Sequence, residues 1–544
     1  MLFFAPLWRR GGARLCRRGG APLARIVEWI AGLPVARAIA VWTYRRLARR
    51  RALAQRVDRW LGFPIRSSRT AVVRWLYLRG LGLVYLVAFT SLRSQVLGLY
   101  GSRGITPVRD LLDRARRELG RERYRVVPSV LWIDASDETL VRLCRTGQLL
   151  SLALVLNVAP RIAAALLWAV YLSFVSVGGA FLAFQWDALL LESGLLGIVV
   201  APGGLRPRLG REPAWPSVCM MRWLAFRLSF ESGIAKLRSG DPTWRSLSAC
   251  LYHYETQPLP TPLGWYAHQL PRQAQRMSTL IVLAGECLVP LFAFGPRRVR
   301  RLSFWLLSAL QAAIAATGNY GFFNMLTFVN ELWLLDDEAL AALPMAVVPA
   351  RASVARQLAA GLVALPIFAV SGSRLVSRLG GPRPPQPLRR VARALGRIQA
   401  VNPYGLFSVM TTRRPEIALE GSDDGLTWKE YAFRYKPGDV RRAPRWVAPY
   451  HPRLDWQMWF AALEAPPPWF LGLLARLLEG APDVLGLLDD APWPAERPPR
   501  YVRAVLYEYT MADLATHRET GAWWHRERIG LYFPAVCLHS PAAA

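Results

Sequence analysis

Ionisable side chains inside apolar runs are where this chain could do chemistry, since a charge at the centre of a membrane helix costs about 2.5–3.5 kcal/mol unless it is paired. In CMMRWLAFRLSFESGIAKL (219–237), Arg227 and Glu231 are four apart and share a helical face, so each can neutralise the other. Lys236 falls on another face with Ala225, Ser229, Ser232 and Gly233, small residues that admit a neighbouring helix. A lysine desolvated there loses basicity and can serve as a general base; a structural ion pair is the plain alternative. In FLAFQWDALLLESGLLGIVVAP (181–202), Gln185 and Glu192 line one face and Asp187 points elsewhere. Two carboxylates five apart on a helix do not converge, so no acid/base pair is expected within this segment. Glu192 is expected to answer a cation on another helix.

The six histidines all follow residue 250, and none forms HExxH or a related zinc spacing. No G-x-S-x-G elbow occurs, which excludes an α/β-type lipase. Tyr252, His253, Tyr254 and Glu255 precede Pro258, Pro260 and Pro262, and the segment reads as a loop ending in an extended strut. Asn319 and Asn324 in TGNYGFFN read as helix caps. The six cysteines stand singly and read as buried thiols, with no metal site and no disulfide framework.

The elements that must position these residues are membrane helices. AVVRWLYLRGLGLVYLVAF from Ala71 is long enough to cross a hydrocarbon core, and 147–179 reads as two more helices split at Pro160. Further apolar runs lie within 181–202, 219–237, 277–295, 301–318, 319–335 and 356–370, for roughly six to nine crossings. Residues 1–70 hold 16 arginines against two acids and are expected in the cytoplasm. Residues 371–400, rich in Gly, Pro and Arg, are expected as a linker. After it, EIALEG, an Asp-Gly turn and TWKEYAFRY predict a hairpin, while 501–511 and 521–533 predict further strands and 469–480 a helix ending at Gly. The fold class is an α-helical polytopic membrane bundle over 71–370, followed by a mainly β extramembrane domain with helical insertions over 401–540.

Composition agrees. The chain of 544 residues is 53% hydrophobic with a net charge of +32. Its 66 arginines and three lysines are spread thinly, a skew that suits a GC-rich genome better than a phosphate-binding face, so nucleic acid is discounted. Membrane lipid is the expected partner, with basic loops and helix ends against anionic headgroups.

The runs RWLAFRLSFESGIAKLRSGDPTWRSLSACLYHYETQPLPTPLGWYAHQLP, TGNYGFFNMLTFV, VNPYGLFSVMTTRRPEIALEG and APYHPRLDWQMWFAAL, with the ending GAWWHRERIGLYFP, resemble the lipase maturation factor family in the same order over about 71–535. That resemblance implies a multi-pass protein of the endoplasmic reticulum membrane that helps secreted lipases fold and assemble, its soluble C-terminal part meeting the client on the luminal side. The compositional bias points to a bacterial chain and hence a plasma membrane. A fainter similarity, carried by Gly233, Lys236, Leu237 and Trp244, runs to vitamin K-dependent carboxylases. It implies an enzyme using Lys236 as base on a lipid-soluble, quinone-like substrate or cofactor.

The first reading is a non-enzymatic assembly factor without a cofactor. Within it, Tyr450, His451, Arg453, Asp455, Trp456 and Trp459 of PYHPRLDWQMWF are the candidate contacts to client, or else the core of their own domain.

Overall fold

The computed structural model describes residues 69–343, 350 and 352–538. The cytoplasmic placement expected for 1–70 therefore falls, but for its last two residues, outside the described part. The described residues up to Phe294 and from Arg300 onward form one compact unit.

The first helix, α1 (Ala71–Arg93), lacks a side-chain cap of its own. Asp337 supplies it from a distance, its carboxylate accepting from the backbone N–H groups of Ala71, Val72 and Val73 at 3.0, 3.0 and 3.2 Å. An anion at that end also meets the positive pole of the helix dipole. Ser136 caps α2 (Asp137–Val155) by accepting from Thr139 N–H. The α1–α2 contact is close because two glycines permit it: a Cβ on Gly82 would stand 2.8 Å from Val155, and one on Gly147 would stand 2.5 Å from the Phe89 ring. The expected hairpin turns at Asn157 and Ala159, both at positive φ, into α3 (Pro160–Val177), where proline opens the helix without wasting a hydrogen bond.

Next come α4 (Gln185–Val200), α5 (Trp215–Arg238), α6 (Ala249–Thr256), α7 (Arg272–Cys287), α8 (Arg297–Thr317), α9 (Phe323–Glu331) and α10 (Val354–Arg378). Among the described residues, four helical stretches are long and apolar enough to cross a membrane: Ala71–Arg93, Pro160–Val177, Arg272–Phe294 and Val354–Arg378.

Several expectations are corrected. The loop expected at 252–255 is helix α6, because ACLYHYET holds no helix breaker and the prolines begin only beyond its C-cap, Gln257. The proline strut is short: Pro260 bridges to Gly318, and Pro262 opens the helix Pro262–His268. The linker expected over 371–400 is largely helical, since α10 runs to Arg378 and α11 (Gln386–Arg397) follows. Gly372 faces open space inside α10, and Pro387 sits in the first turn of α11, where its missing N–H costs nothing. Asn319 caps no helix; its side chain donates to Arg445 O at 2.8 Å and accepts from Val447 N and Ala448 N at 2.8 and 3.0 Å. Asn324 donates to Gln311 Oε1 at 2.9 Å.

The C-terminal part is a small antiparallel sheet with helices, less dominated by strand than expected. Strands β1 (Pro415–Ser422), β2 (Lys429–Tyr431), β3 (Tyr501–Met511) and β4 (Trp524–Val536) take the order β2-β1-β3-β4. The predicted β1–β2 hairpin is present, with Gly425 at φ +74°. Asp424 accepts from Leu426 N and Thr427 N at 2.8 and 2.7 Å, and those bonds hold its carboxyl below the usual carboxylate range. Helices α12 (Arg453–Ala462) and α13 (Pro468–Leu478) lie between β2 and β3 in the chain. One apolar core runs from Val73 and Tyr77 on α1 to Ile417 and Leu419 on β1 and Val502 and Ala504 on β3. The sheet and the helices share it, as two domains joined by a tether would not.

Candidate functional site

The polar residues singled out in the membrane part converge on the C-terminal part. Asp187, in the first turn of α4, meets Arg453, in the first turn of α12, through paired contacts of 2.9 and 3.0 Å, both side chains wholly buried. Arg453 also donates to Phe181 O at 2.6 Å, and Tyr171 on α3 donates to Asp187. A guanidinium and a carboxylate stripped of water at this depth persist only when nearly every donor and acceptor has a partner. The backbone beside them is tied as well: His451 N donates to Ser91 Oγ at 3.0 Å and Arg453 N to Gln95 Oε1 at 2.8 Å, both acceptors near the end of α1.

A second cluster joins α4, α5 and α10 to the loop 402–405. Glu192 pairs with Arg227 and accepts from Asn402 N at 2.9 Å and Tyr404 Oη at 2.7 Å. Glu231 stands 3.7 Å from Arg227 and 3.2 Å from Arg378, and accepts from Tyr404 N at 3.1 Å. Gln185 accepts from Gly405 N at 3.1 Å. The shared face expected for Gln185 and Glu192 is thus the face that grips this loop, and the cation expected to answer Glu192 is Arg227.

A third cluster ties the sheet to α6. Arg414 and Lys436 flank Glu416 at 2.8 and 3.0 Å, all three buried, and Arg414 donates to Glu255 O and Pro258 O at 2.6 and 2.8 Å. Glu255 accepts from Met511 N at 2.7 Å, and Trp459 Nε1 donates to Thr256 O at 2.9 Å. His253 meets Tyr320 Oη at 3.0 Å; burial beside Lys236 pushes its imidazole down to about 4. Tyr254 is buried, whereas Tyr252 lies at the surface.

Lys236 faces α7, as its small-residue neighbours require. A Cβ on Gly233 would lie 2.5 Å from Cys287 Sγ. The ammonium donates to both oxygens of Glu286, at 2.9 and 2.7 Å, and stands 5.3 Å from the Trp244 ring centroid. A chelating carboxylate and an aromatic face thus surround the amine, an arrangement that fits an ion-pair fastening between α5 and α7. Glu286 was missed from sequence, although a lone acid in the apolar run STLIVLAGECLVP is the kind of signal that finds it.

Of the two readings of 450–459, client contact or core, burial favours the core. His451, Arg453, Asp455, Trp456 and Trp459 are buried, and Tyr450 is half-buried with its hydroxyl 3.1 Å from Ser94 Oγ. His451 packs as a flat ring against Phe184, Trp186 and Trp456, and burial beside Arg453 holds its imidazole well below the usual range. Asp455 accepts from Tyr435 N and Lys436 N at 2.9 and 3.0 Å, while burial pushes its carboxyl up. Aromatic residues in an amphipathic-looking motif read equally as binding surface or core; here they are core.

The exposed counterpart is β4. It is the outer strand of the sheet, 13 residues long, and pairs only with β3 among the described residues. Ile529 and Leu531 on it are 50% and 56% exposed. Among the described residues no group of three His, Cys, Asp or Glu side chains could hold a metal ion. The cysteines described are all free, with Cys144 and Cys250 buried and Cys537 exposed.

Residues 72–342 match the family described as the lipase maturation factor transmembrane domain, and residues 400–534 match the lipase maturation factor C-terminal domain. Lipase maturation factor 2 of Gallus gallus is 35% identical, with 88% of this chain and 83% of that protein covered. Lipase maturation factor 2 of Homo sapiens is 35% identical over 86% of this chain and 83% of its own length. Lipase maturation factor 1 of Mus musculus is 34% identical, at 86% and 87%. No solved structure matches the chain. These relatives are vertebrate proteins and lend no support to the bacterial origin read from composition. The carboxylase alternative likewise finds no support.

Proposed function

The chain belongs to the lipase maturation factor family, and we propose that it assists secreted, lipase-like clients to fold and assemble by holding their extended segments along β4. Its membrane on this reading is the one across which secreted polypeptides emerge, and the family match supports the endoplasmic reticulum membrane. The observation that carries this reading is the unpaired edge of β4. An exposed edge offers a row of backbone N–H and C=O groups to any extended polypeptide, so it binds by main chain and accepts varied sequences. Arg526, Glu527 and Arg528 place charge along one end, a pattern that discourages pairing there; Ile529 to Phe533 is mainly apolar, and Pro534 ends it. The window for a client strand is therefore 529–533.

A client must also be met on the side where it emerges. The four apolar crossings would return the chain to its starting side. Helix α5 is 24 residues long, enough to cross, and its Arg227, Glu231 and Lys236 are each paired inside the bundle. With α5 as a fifth crossing and the arginine-rich N-terminal segment in the cytoplasm, the sheet faces the exterior or lumen.

The test is Ile529→Lys with Leu531→Lys, two exposed positions, in cells lacking their own factor. Secreted lipase activity per unit of lipase is expected to fall at least fivefold while the level and membrane retention of the chain stay unchanged. Full maturation with the double variant overturns the edge; failure of the unaltered chain to restore maturation overturns the function.

A further inference from the structure

Helix α11 follows α10, a helix long enough to cross a membrane, after only seven residues (379–385), yet none of its own twelve residues is buried. Its side chains divide into two stripes. Leu388, Ala392 and Leu395 pack half-buried on the core. Arg389, Arg393 and Arg397 recur every four residues on the other side, with Arg390 beside them, all exposed. No carboxylate among the described residues pairs with any of these four. The whole stretch 371–400 holds seven arginines and no acid. On the proposed topology the stretch lies on the side where a positive-inside bias would not put it, so its charge calls for a local partner.

One further feature sits at the same end of α10, and another lies farther back along it, in its N-terminal half. A cavity of about 190 Å³ lies between the last turns of α10 and the chain at Pro384 and Pro403, with Arg374, Ser377, Arg378 and Glu231 on its wall. Arg374 donates to Val401 O at 2.8 Å through one terminal nitrogen, leaving other N–H groups of its guanidinium. Glu231 is already answered by Arg227 and Arg378. Along the same helix, Val354, Leu358, Leu362 and Leu365 form an exposed apolar stripe at helical spacing.

We infer that the end of α10 and the arginine face of α11 form a binding site for an anionic phospholipid. The headgroup phosphate sits among the guanidinium groups, and an acyl chain follows the apolar stripe of α10. A basic helix that follows a crossing so closely is drawn to an anionic surface through its arginines. The cavity walled by Arg374 and Arg378 turns that diffuse attraction into a site for one molecule.

This inference rests on the reading that the chain spans a bilayer, and the experiment separates the two. The full chain is reconstituted in nanodiscs of equal phosphatidylglycerol and phosphatidylcholine, then released and weighed intact by native mass spectrometry. At least fivefold preferential retention of phosphatidylglycerol is expected, falling to parity in a variant with Arg389, Arg390, Arg393 and Arg397 all replaced by Gln. Inorganic phosphate added without lipid is expected to give no adduct; an adduct there makes the site a free-anion site and overturns the lipid assignment. Equal retention of both lipids by the unaltered chain overturns the site, whatever the variant does. Release of the chain from membranes by alkaline carbonate would overturn the bilayer reading, and the site with it.

Discussion

At the scale of single residues, charges in this protein are used to fasten. Lys236 shows it best: the sequence shows a lysine on a small-residue face and leaves open whether it is base or partner, because the carboxylate that decides the matter is 50 residues away on α7. Arg227 and Glu231 were legible as an i, i+4 pair, but the pair is the looser of the two contacts Arg227 makes, and the tighter one reaches Glu192 on another helix. Spacing within one helix reveals which groups share a face; it says nothing of which neighbour they meet. If Lys236 is a fastening, charge and reach matter and basicity does not. Lys236→Arg is therefore expected to keep at least half of client maturation, whereas Lys236→Met strands the Glu286 carboxylate and lowers the amount of chain that accumulates. Loss of maturation in the Arg variant at normal level would return Lys236 to the role of a base.

Among the elements, the hairpin, β3, the helix after Pro467 and the turn at Pro160 could be read from alternation, proline and glycine alone, since their local rules agree with the final fold. The stretches that could not be read are those whose fate tertiary contacts decide. Gly and Pro at 371–400 suggested a break, yet the helices continue where the glycine meets open space and the proline falls in a first turn. The aromatic run 450–459 left surface and core both open, and α12 is held inside where Arg453 pairs with Asp187. That pair is the clearest fastening between α4 and α12, and its energetics are predictable in sign. Removing one partner of a buried pair costs about 3–5 kcal/mol because the other charge is left desolvated, while replacing both with apolar residues is often neutral. Arg453→Met alone is expected to lower the detergent-solubilised thermal midpoint sharply. Adding Asp187→Leu should recover at least half of that loss; no recovery would show that the two side chains act independently.

For the whole molecule, the consequence is a single body in which the sheet moves with the helices. One apolar core and three buried polar clusters span the join, so the edge of β4 is carried at a fixed height and orientation relative to the membrane part. A fixed edge loses little conformational entropy when a client strand docks, which is what a holding surface for unfolded polypeptide requires. The family and the order of helices before sheet were visible in the sequence; the exposed edge proposed to meet a client was not, because exposure is a property of the assembled fold. The most direct measurement is photocrosslinking from a benzophenone residue at position 529 or 531 in membranes translocating a newly made lipase. Adducts to the lipase at both positions, and none from position 456 in the core, are the expected result. A lipase that crosslinks from neither edge position while still being matured by the chain would contradict the account.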